Sequence, residues 1–484
     1  MKKCPTRPRL EQLEDRWCPS LTVQYFSGNL IVSGTPTGTS ATGGLLIQGT
    51  AAHTNNFTVK DGTHFLGTYQ LGGNLTLNLN NHINDRINID LNGNTIGGNV
   101  LITLGLGDPS ANVANGVGVY DSTGGGTTTG AGRIGGSLTV RGGSGKETFI
   151  PGLMDSASPT PEGLRVGGDL TFNARAGGTT PGVGDVMDTG VLFAAPPQVV
   201  IGGNLNTTAV DTVALSGNTK VGRDVSVSAA GERPLFVLDV ATVTGNVTIT
   251  GTLTAGKSAG NDNPTGDVVE VGNQGGFLTG TAFVGQALQI STPGPGNSEV
   301  VVDAGTTVGD STTINSGDGN NLFILDGTFA DLGVTAGNGA NTLDFDAAAS
   351  ASSLSVTFGD GNNTIGAPVT VGGFVGTNFS GAVAGDLTFN LGNGNNTVTV
   401  VNAPGGTLFW TSGNGTDSVT FAPTTAGQTW SVDMTFGTGT NTLNLAGTGN
   451  PEFITGVVRG SGGADTFIQG PNWVIVPPFD ISSF

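Results

Sequence analysis

The sequence has little cysteine, little histidine, little positive charge in its C-terminal half and no long apolar run. Its two cysteines, Cys4 and Cys18, both lie in the first twenty of 484 residues, so a disulfide framework is excluded for the body. His53, His64 and His82 show neither HxH nor HExxH spacing. No segment approaches the roughly 18–20 apolar residues of a spanning helix, so no transmembrane segment is expected. Beyond Lys257 the one basic residue is Arg459. The net charge is −19, divided as +2 over residues 1–20, −4 over 21–260 and −17 over 261–484. Such a chain repels phosphate backbones and anionic lipid, which disfavours nucleic acid as a partner. With almost no ion pairs available to it, the acidic half depends on burial and hydrogen bonding.

What is abundant is glycine. The 85 Gly and 22 Pro exclude a helix-rich architecture, while 36% hydrophobic residues leave enough for a core if they are patterned. They are patterned. From Ser316 onward one unit recurs seven times, as GDGNNLFIL from Gly317, then from Gly337, Gly359, Gly392, Gly413, Gly437 and Gly460, at intervals of 20, 22, 33, 21, 24 and 23. Its polar column is Asn321, Asn341, Asn363, Asn396, Asp417, Asn441 and Asp465. Gly and Asn tolerate the left-handed region, so GxGxN reads as a backbone turn. Apolar residues alternate before the turn, as in Leu354, Val356 and Phe358, and after it, as in Val419 and Phe421. Period two on both sides of a turn makes two short strands, each with one buried face.

A strand-turn-strand unit repeated every 22 or so residues fits either stacked hairpins of a sandwich or successive coils of a parallel solenoid. Tight hairpins favour two-residue loops, whereas the inward register here passes through about six residues. The expected fold is therefore all-β, an elongated parallel β-solenoid with coils of about 20–25 residues and loop insertions. Equivalent positions would stack about 4.8 Å apart, so the Asn column is expected to form an amide ladder. The first half carries a looser signature of the same unit, as in LGGNLTLNL from Leu71, IGGSLTVRG from Ile134, VGGDLTFNA from Val166 and VTGNVTITG from Val243. Gly124–Gly132 and Ser156–Gly163 read as loops inserted into coils. The expected organisation is residues 1–20 as an export motif or N-terminal cap, 21–315 as solenoid with insertions, 316–470 as regular GxGxN coils, and 471–484 as a C-terminal cap or tail.

The N-terminus has the basic start of a secretory peptide without its apolar stretch, so an ordinary signal peptide is not expected. Arg7, Pro8, Leu10, Glu11, Leu13, Glu14, Asp15, Arg16, Pro19 and Ser20 follow a pattern of roughly RPxLExLEDRxxPS. This segment resembles the short N-terminal motif of many large exported and cell-surface proteins of planctomycete bacteria. The resemblance covers about 14 of 484 residues. It implies export or surface sorting of a Gly/Asn/Thr-rich β-repeat body, and an extracellular or cell-surface location, but no chemical activity.

Candidate chemistry is sparse. GSGGADTFI from Gly460 and GGSGKETFI from Gly142 are similar to the nonapeptides of calcium-binding β-rolls, but the column here is mostly neutral amide and recurs at more than twice the interval. Asp318, Asp360, Asp417 and Asp465 are the carboxylates nearest the turns. Asp85, Arg86 and Asp90 cluster in NDRINID, where alternation sends Ile87 and Ile89 inward and the charges to an exposed face. Trp410 falls on an inward position and Trp430 is expected outward, where an aromatic ring could stack on a sugar. No catalytic residue, cofactor site or metal site is nominated. The reading is a non-enzymatic structural or adhesive solenoid whose partners are surface glycans or copies of itself; the alternative is a carbohydrate-active β-helix enzyme.

Overall fold

The computed structural model describes residues 21–484 except 38–43, 52, 81–85, 106–114, 124–131, 144–145, 153–162, 175–184, 190–197, 216–218, 230–234, 239–240, 252–266, 273–280, 368, 372–373, 377–378, 448–450 and 462–463. The inserted loops expected at 124–132 and 156–163 thus lie largely outside the described residues, as does the whole N-terminal motif. Among the described residues there is no helix, and so none long and apolar enough to cross a membrane.

The chain winds as a parallel β-solenoid. One representative coil runs through the short strand Arg133–Ile134, a Gly135-Gly136 corner, the strand Leu138–Arg141, a turn, and the strand Glu147–Pro151. The first two strands of each coil join a sheet of 27 strands, and the third joins a second sheet facing it. Later the short strand and its successor fuse into the nine-residue strands Thr328–Ala336 and Ser350–Phe358.

Register is kept coil after coil, because slipping by one residue would turn every inward side chain to solvent. In the first sheet Leu138 pairs with Leu170, Leu170 with Leu205, and Leu205 with Val225. In the second, Phe323 follows Val300 and is followed by Leu343 and Ile365. These columns meet in one continuous core that contains Leu354, Val356, Phe358, Phe389 and Phe421. Toward the C-terminus the core becomes aromatic, with Phe345, Phe379, Phe389 and Trp410 in sequential ring contact at 5.2–6.1 Å.

The N-terminal end is built differently. Leu21–Phe26 and Asn29–Gly34 form an antiparallel hairpin through Ser27 and Gly28, both at positive φ, and Asn29–Gly34 then opens the parallel stack. On the second sheet Asn56–Asp61 and His64–Gln70 add antiparallel strands below Leu45–Gly49. The two ends meet where the Tyr25 hydroxyl donates to Gln70 O at 3.0 Å. At the other end Trp473–Ser482 continues the first sheet as a parallel strand on Glu452–Arg459, with Trp473 buried.

In the GxGxN turns the left-handed residue is the second glycine, not the Asn. Gly361 has φ +144°, and a Cβ there would lie 2.0 Å from Gly339 O of the preceding coil. Successive turns therefore stack backbone on backbone. We predict that Gly361→Ala destabilises the protein by at least ~2 kcal/mol, since left-handed strain alone costs about 1–3 kcal/mol and the clash adds to it. Gly72→Ala, where a Cβ meets nothing within 4 Å, is expected to be near neutral; urea unfolding midpoints compare the two.

Candidate functional site: hydrogen-bond columns and the outer face

The seven turn residues expected to stack do so. Asn321 Nδ2 donates to Asn341 Oδ1 at 2.8 Å, Asn341 to Asn363 at 3.0 Å, Asn363 to Asn396 at 2.9 Å, and Asn396 to Asp417 Oδ1 at 2.8 Å. Asn441 Nδ2 reaches Asp465 Oδ1 at 3.0 Å. Each receiving oxygen also accepts the backbone N–H of the preceding coil's column residue, from Asn321 N on Asn341 at 3.4 Å to Asn441 N on Asp465 at 2.9 Å. The same Nδ2 groups bond the first Gly carbonyl of their own turn, as Asn321 does to Gly317 O at 3.0 Å. One amide thus closes its own turn and fixes the next coil, which is why Asn is preferred.

Strand register extends this column into the first half, where it changes chemistry. Ser298 N donates to Asn321 Oδ1 at 3.0 Å; further back the equivalent residues are Asp211, Asp185 and Glu147. Asp185 N donates to Asp211 Oδ2 at 2.7 Å, and Glu147 N to Asp185 Oδ1 at 2.8 Å. Glu147 is fully buried and its Oε1 accepts Gly143 N–H at 2.9 Å. Burial, with Asp185 beside it, pushes the Glu147 carboxyl up to about 9, and burial lifts Asp185 to about 6. Asp211 is also raised by burial. Sequence reasoning missed these three acids because loop insertions make their spacing irregular. The legible signal was an acid or amide immediately before each apolar run.

A second column explains the polar residue after the Gly-Gly corner. Asn74 N donates to Asn29 Oδ1 at 2.8 Å, Asn99 N to Asn74 Oδ1 at 2.8 Å and Ser137 N to Asn99 Oδ1 at 2.8 Å; Asn204 N donates to Asp169 Oδ1 at 2.7 Å. The turn carboxylates behave alike. Asp318 Oδ1 accepts Asn338 N–H and Asp360 Oδ1 accepts Asn393 N–H, each at 2.7 Å. They do not converge on one another. Among the described residues, three carboxylates that could hold a cation come together elsewhere, where Asp326, Asp344 and Asp346 lie with oxygens within 4.8 Å. Burial raises the Asp326 carboxyl there, and the Asp346 charge adds to the rise.

The outer face of the first sheet presents two parallel columns of small polar groups. One runs through Thr139, Thr171, Asn206, Ser226 and Thr248; the other through Asn173, Thr208, Ser228, Thr250, Ser291, Asn315, Thr335, Thr357, Asn390 and Thr411. Phe409 interrupts the first column and is 38% exposed. Further along, Arg459 Nη1 pairs with Asp433 Oδ1 at 2.6 Å, both half-exposed.

Two expectations are corrected. Trp430 is fully buried and stacks on Phe421 at 4.4 Å. It stands two residues before the inward Val432, so strand periodicity gives both the same face, and it offers no sugar platform. Asp90 is buried, not solvated: it accepts from Ser122 Oγ at 2.9 Å, Ser122 N at 3.1 Å and Gln48 Nε2 at 3.1 Å. In several coils the second sheet is covered on both faces, as outward Val301 and Ile324 also show, so alternation does not mark exposure there. Asp85 and His82 lie outside the described residues; His53 sits in a turn and His64 opens the strand His64–Gln70. Trp410 is buried as expected. Comparison with family models, curated proteins and solved structures finds no match for the chain.

Two predictions follow from the buried column. Asp417 accepts at Oδ1 as the amides do, but its Oδ2 is buried with no partner, because a carboxylate cannot donate. Asp417→Asn restores the missing donor toward Asn441 and is expected to stabilise by ~1 kcal/mol, while Asn363→Asp costs ~1–3 kcal/mol; denaturant titration reads both. The second concerns pH. Glu147 binds its proton more tightly when folded than at its ordinary value of 4.5, so between about 4.5 and 9 the unfolded chain has released a proton the native state keeps. Stability therefore falls as pH rises through that window. Glu147→Gln is expected to flatten the fall and to melt higher than the wild type near the top of it, as thermal melts across the range would show.

Proposed function

We propose that this chain is an exported, non-enzymatic solenoid serving as a structural or adhesive component of a bacterial cell surface or extracellular matrix. The observation that carries the reading is the outer face of the first sheet. Hydroxyl and amide groups stand there in columns about 4.8 Å apart along the stack, on a framework whose inward half is fully committed to packing. A flat, repetitive array of donors and acceptors suits a repetitive ligand such as a glycan, or another copy of the chain, better than a compact substrate. The N-terminal resemblance supports delivery to the outside, and the cysteine-free body suits an oxidising exterior. Arg459, the cation that a lyase-type centre in the acidic half would draw on, is paired with Asp433 on an exposed strand face.

The test is localisation. The intact protein is expected at the cell surface or in the matrix, and a version lacking residues 1–20 is expected to accumulate inside the cell. Surface delivery that survives the deletion would overturn the role given to the motif. Turnover of polysaccharides by the purified chain would overturn the non-enzymatic assignment.

A further inference from the structure

The two ends of the stack are finished differently. At the C-terminal end the last strand of the first sheet, Trp473–Ser482, carries Pro477 and Pro478, which have no N–H to offer a neighbour, an irregular register between Ile454 and Gly456 of the strand beneath, and the charge of Asp480. Prolines, bulges and charges are the means by which sheets protect an open edge. At the N-terminal end the last strand is Leu21–Phe26, six residues without proline, charge or bulge. Its register with Asn29–Gly34 is unbroken up to the two-residue Ser27-Gly28 turn, so the ladder bonds fall to Thr22, Gln24 and Phe26, while Leu21, Val23 and Tyr25 turn their N–H and C=O groups the other way. The same alternation sends Leu30 N to Asn74 O on the far side of Asn29–Gly34. Among the described residues no strand takes up the backbone groups that Leu21, Val23 and Tyr25 present.

That edge belongs to a surface almost free of charge. Lys60 and Asp61 are the only Lys, Arg, Asp or Glu between positions 21 and 80, in a chain of net charge −19. Phe65 and Phe26 leave 63% and 54% of their surface to solvent, more than any other large apolar side chain described, and Tyr25, next to Phe26, meets Tyr69 of the strand His64–Gln70 with ring centroids 5.6 Å apart. An occupant that fits must bring an uncharged strand and apolar surface together, and a second copy of this same end brings both. Charge selects the orientation. Eight strand steps of the first sheet, roughly 40 Å at about 4.8 Å each, separate Leu21–Phe26 from Val247–Thr250, beyond which the acidic half begins. Two copies joined at their N-terminal ends therefore hold their acidic halves apart by many times the ~8 Å screening length. Joined at their C-terminal ends they would bring those halves together, and a head-to-tail stack would set the open strand of one copy against the proline-bearing edge of the next.

We propose that two copies of the chain associate about a two-fold axis through their N-terminal ends, the strand Leu21–Phe26 of each pairing antiparallel with that of the other. The free backbone groups set the register: Val23 faces its own counterpart on the axis, Leu21 of each copy faces Tyr25 of the other, and the exposed side chains of Thr22 and Gln24 stand opposite each other. The two first sheets then run on as one continuous sheet. This surface is distinct from the hydroxyl and amide face, so the pairing and the export and adhesive reading stand or fall separately.

The experiment is sedimentation equilibrium of the purified full chain over a concentration series, with two variants confined to exposed positions of the strand. The wild type is expected to reach twice its monomer mass and go no further. Thr22→Lys combined with Gln24→Lys sets like charges opposite each other twice across the axis and is expected to weaken the pair at least about tenfold. Thr22→Glu combined with Gln24→Lys sets opposite charges there and is expected to keep or tighten it. Both variants are expected to melt with the wild type when dilute, because neither side chain is buried. A wild type that stays monomeric, one that grows beyond the dimer as a head-to-tail stack would, or a double-lysine variant that pairs as tightly as the wild type would overturn the proposal. Loss of the pair in the glutamate-and-lysine variant would overturn the antiparallel register on which it is built. A full chain that pairs only after residues 1–20 are removed would overturn it as well, since that makes the N-terminal segment the occupant of this edge.

Discussion

Each coil of this protein is held to the next by a side-chain oxygen that accepts a backbone N–H from the neighbouring coil. In the buried column of the acidic half that oxygen belongs mostly to an amide, whose nitrogen continues the chain of bonds through Asn321, Asn341, Asn363 and Asn396. The arrangement solves a problem particular to solenoids. The turn between two strands exposes backbone donors that neither sheet pairs, and a buried donor without a partner costs about 1–3 kcal/mol. Repeating one amide per coil satisfies those donors at a site where water is excluded, and sets the vertical register of both sheets. The glycines follow from this: a turn stacked directly on its predecessor leaves no space for a Cβ at Gly339 or Gly361.

The substitution of acids for amides in the first half changes the energetics without changing the geometry. Asp185 and Asp211 accept the same backbone bonds, from Glu147 N and Asp185 N, while Glu147 accepts Gly143 N–H of its own coil, and none of the three has an amide donor with which to continue the column. Burial raises both the Glu147 and the Asp185 carboxyl. The column is thereby tied to pH in one half of the molecule and indifferent to it wherever Asn stands. Buried carboxylates carry a desolvation penalty that amides avoid, so the regular coils lie where the column is mostly Asn.

Much of the fold was legible because the repeat is short and its two signals agree. Alternation fixed the inward residues, and GxGxN fixed the turn, so Leu354, Val356 and Phe358 fell in the core as read. The failures have specific causes. Asp90 was misplaced because alternation assumes one wet face, and the strand Arg86–Asp90 is buried on both. Trp430 was misplaced although its parity with Val432 was visible. The acids of the first half escaped notice because insertions of variable length hide a column whose members are 38 and 26 residues apart. The antiparallel strands at the N-terminal end carry a hairpin signal at Ser27-Gly28 that a search tuned to the longer repeat passes over.

The division of labour within a coil bears on what the surface can do. Side chains that point inward are consumed by packing and those at the corners by ladder bonds, so the outward positions of the first sheet are the ones free to vary without disturbing register. Across most of the stack they hold Thr, Ser and Asn, which fit a pleated surface and place polar groups toward solvent. A repetitive scaffold of this kind makes exceptions to its own pattern informative: composition at a forced position reports on folding, and composition at a free position reports on what the face meets.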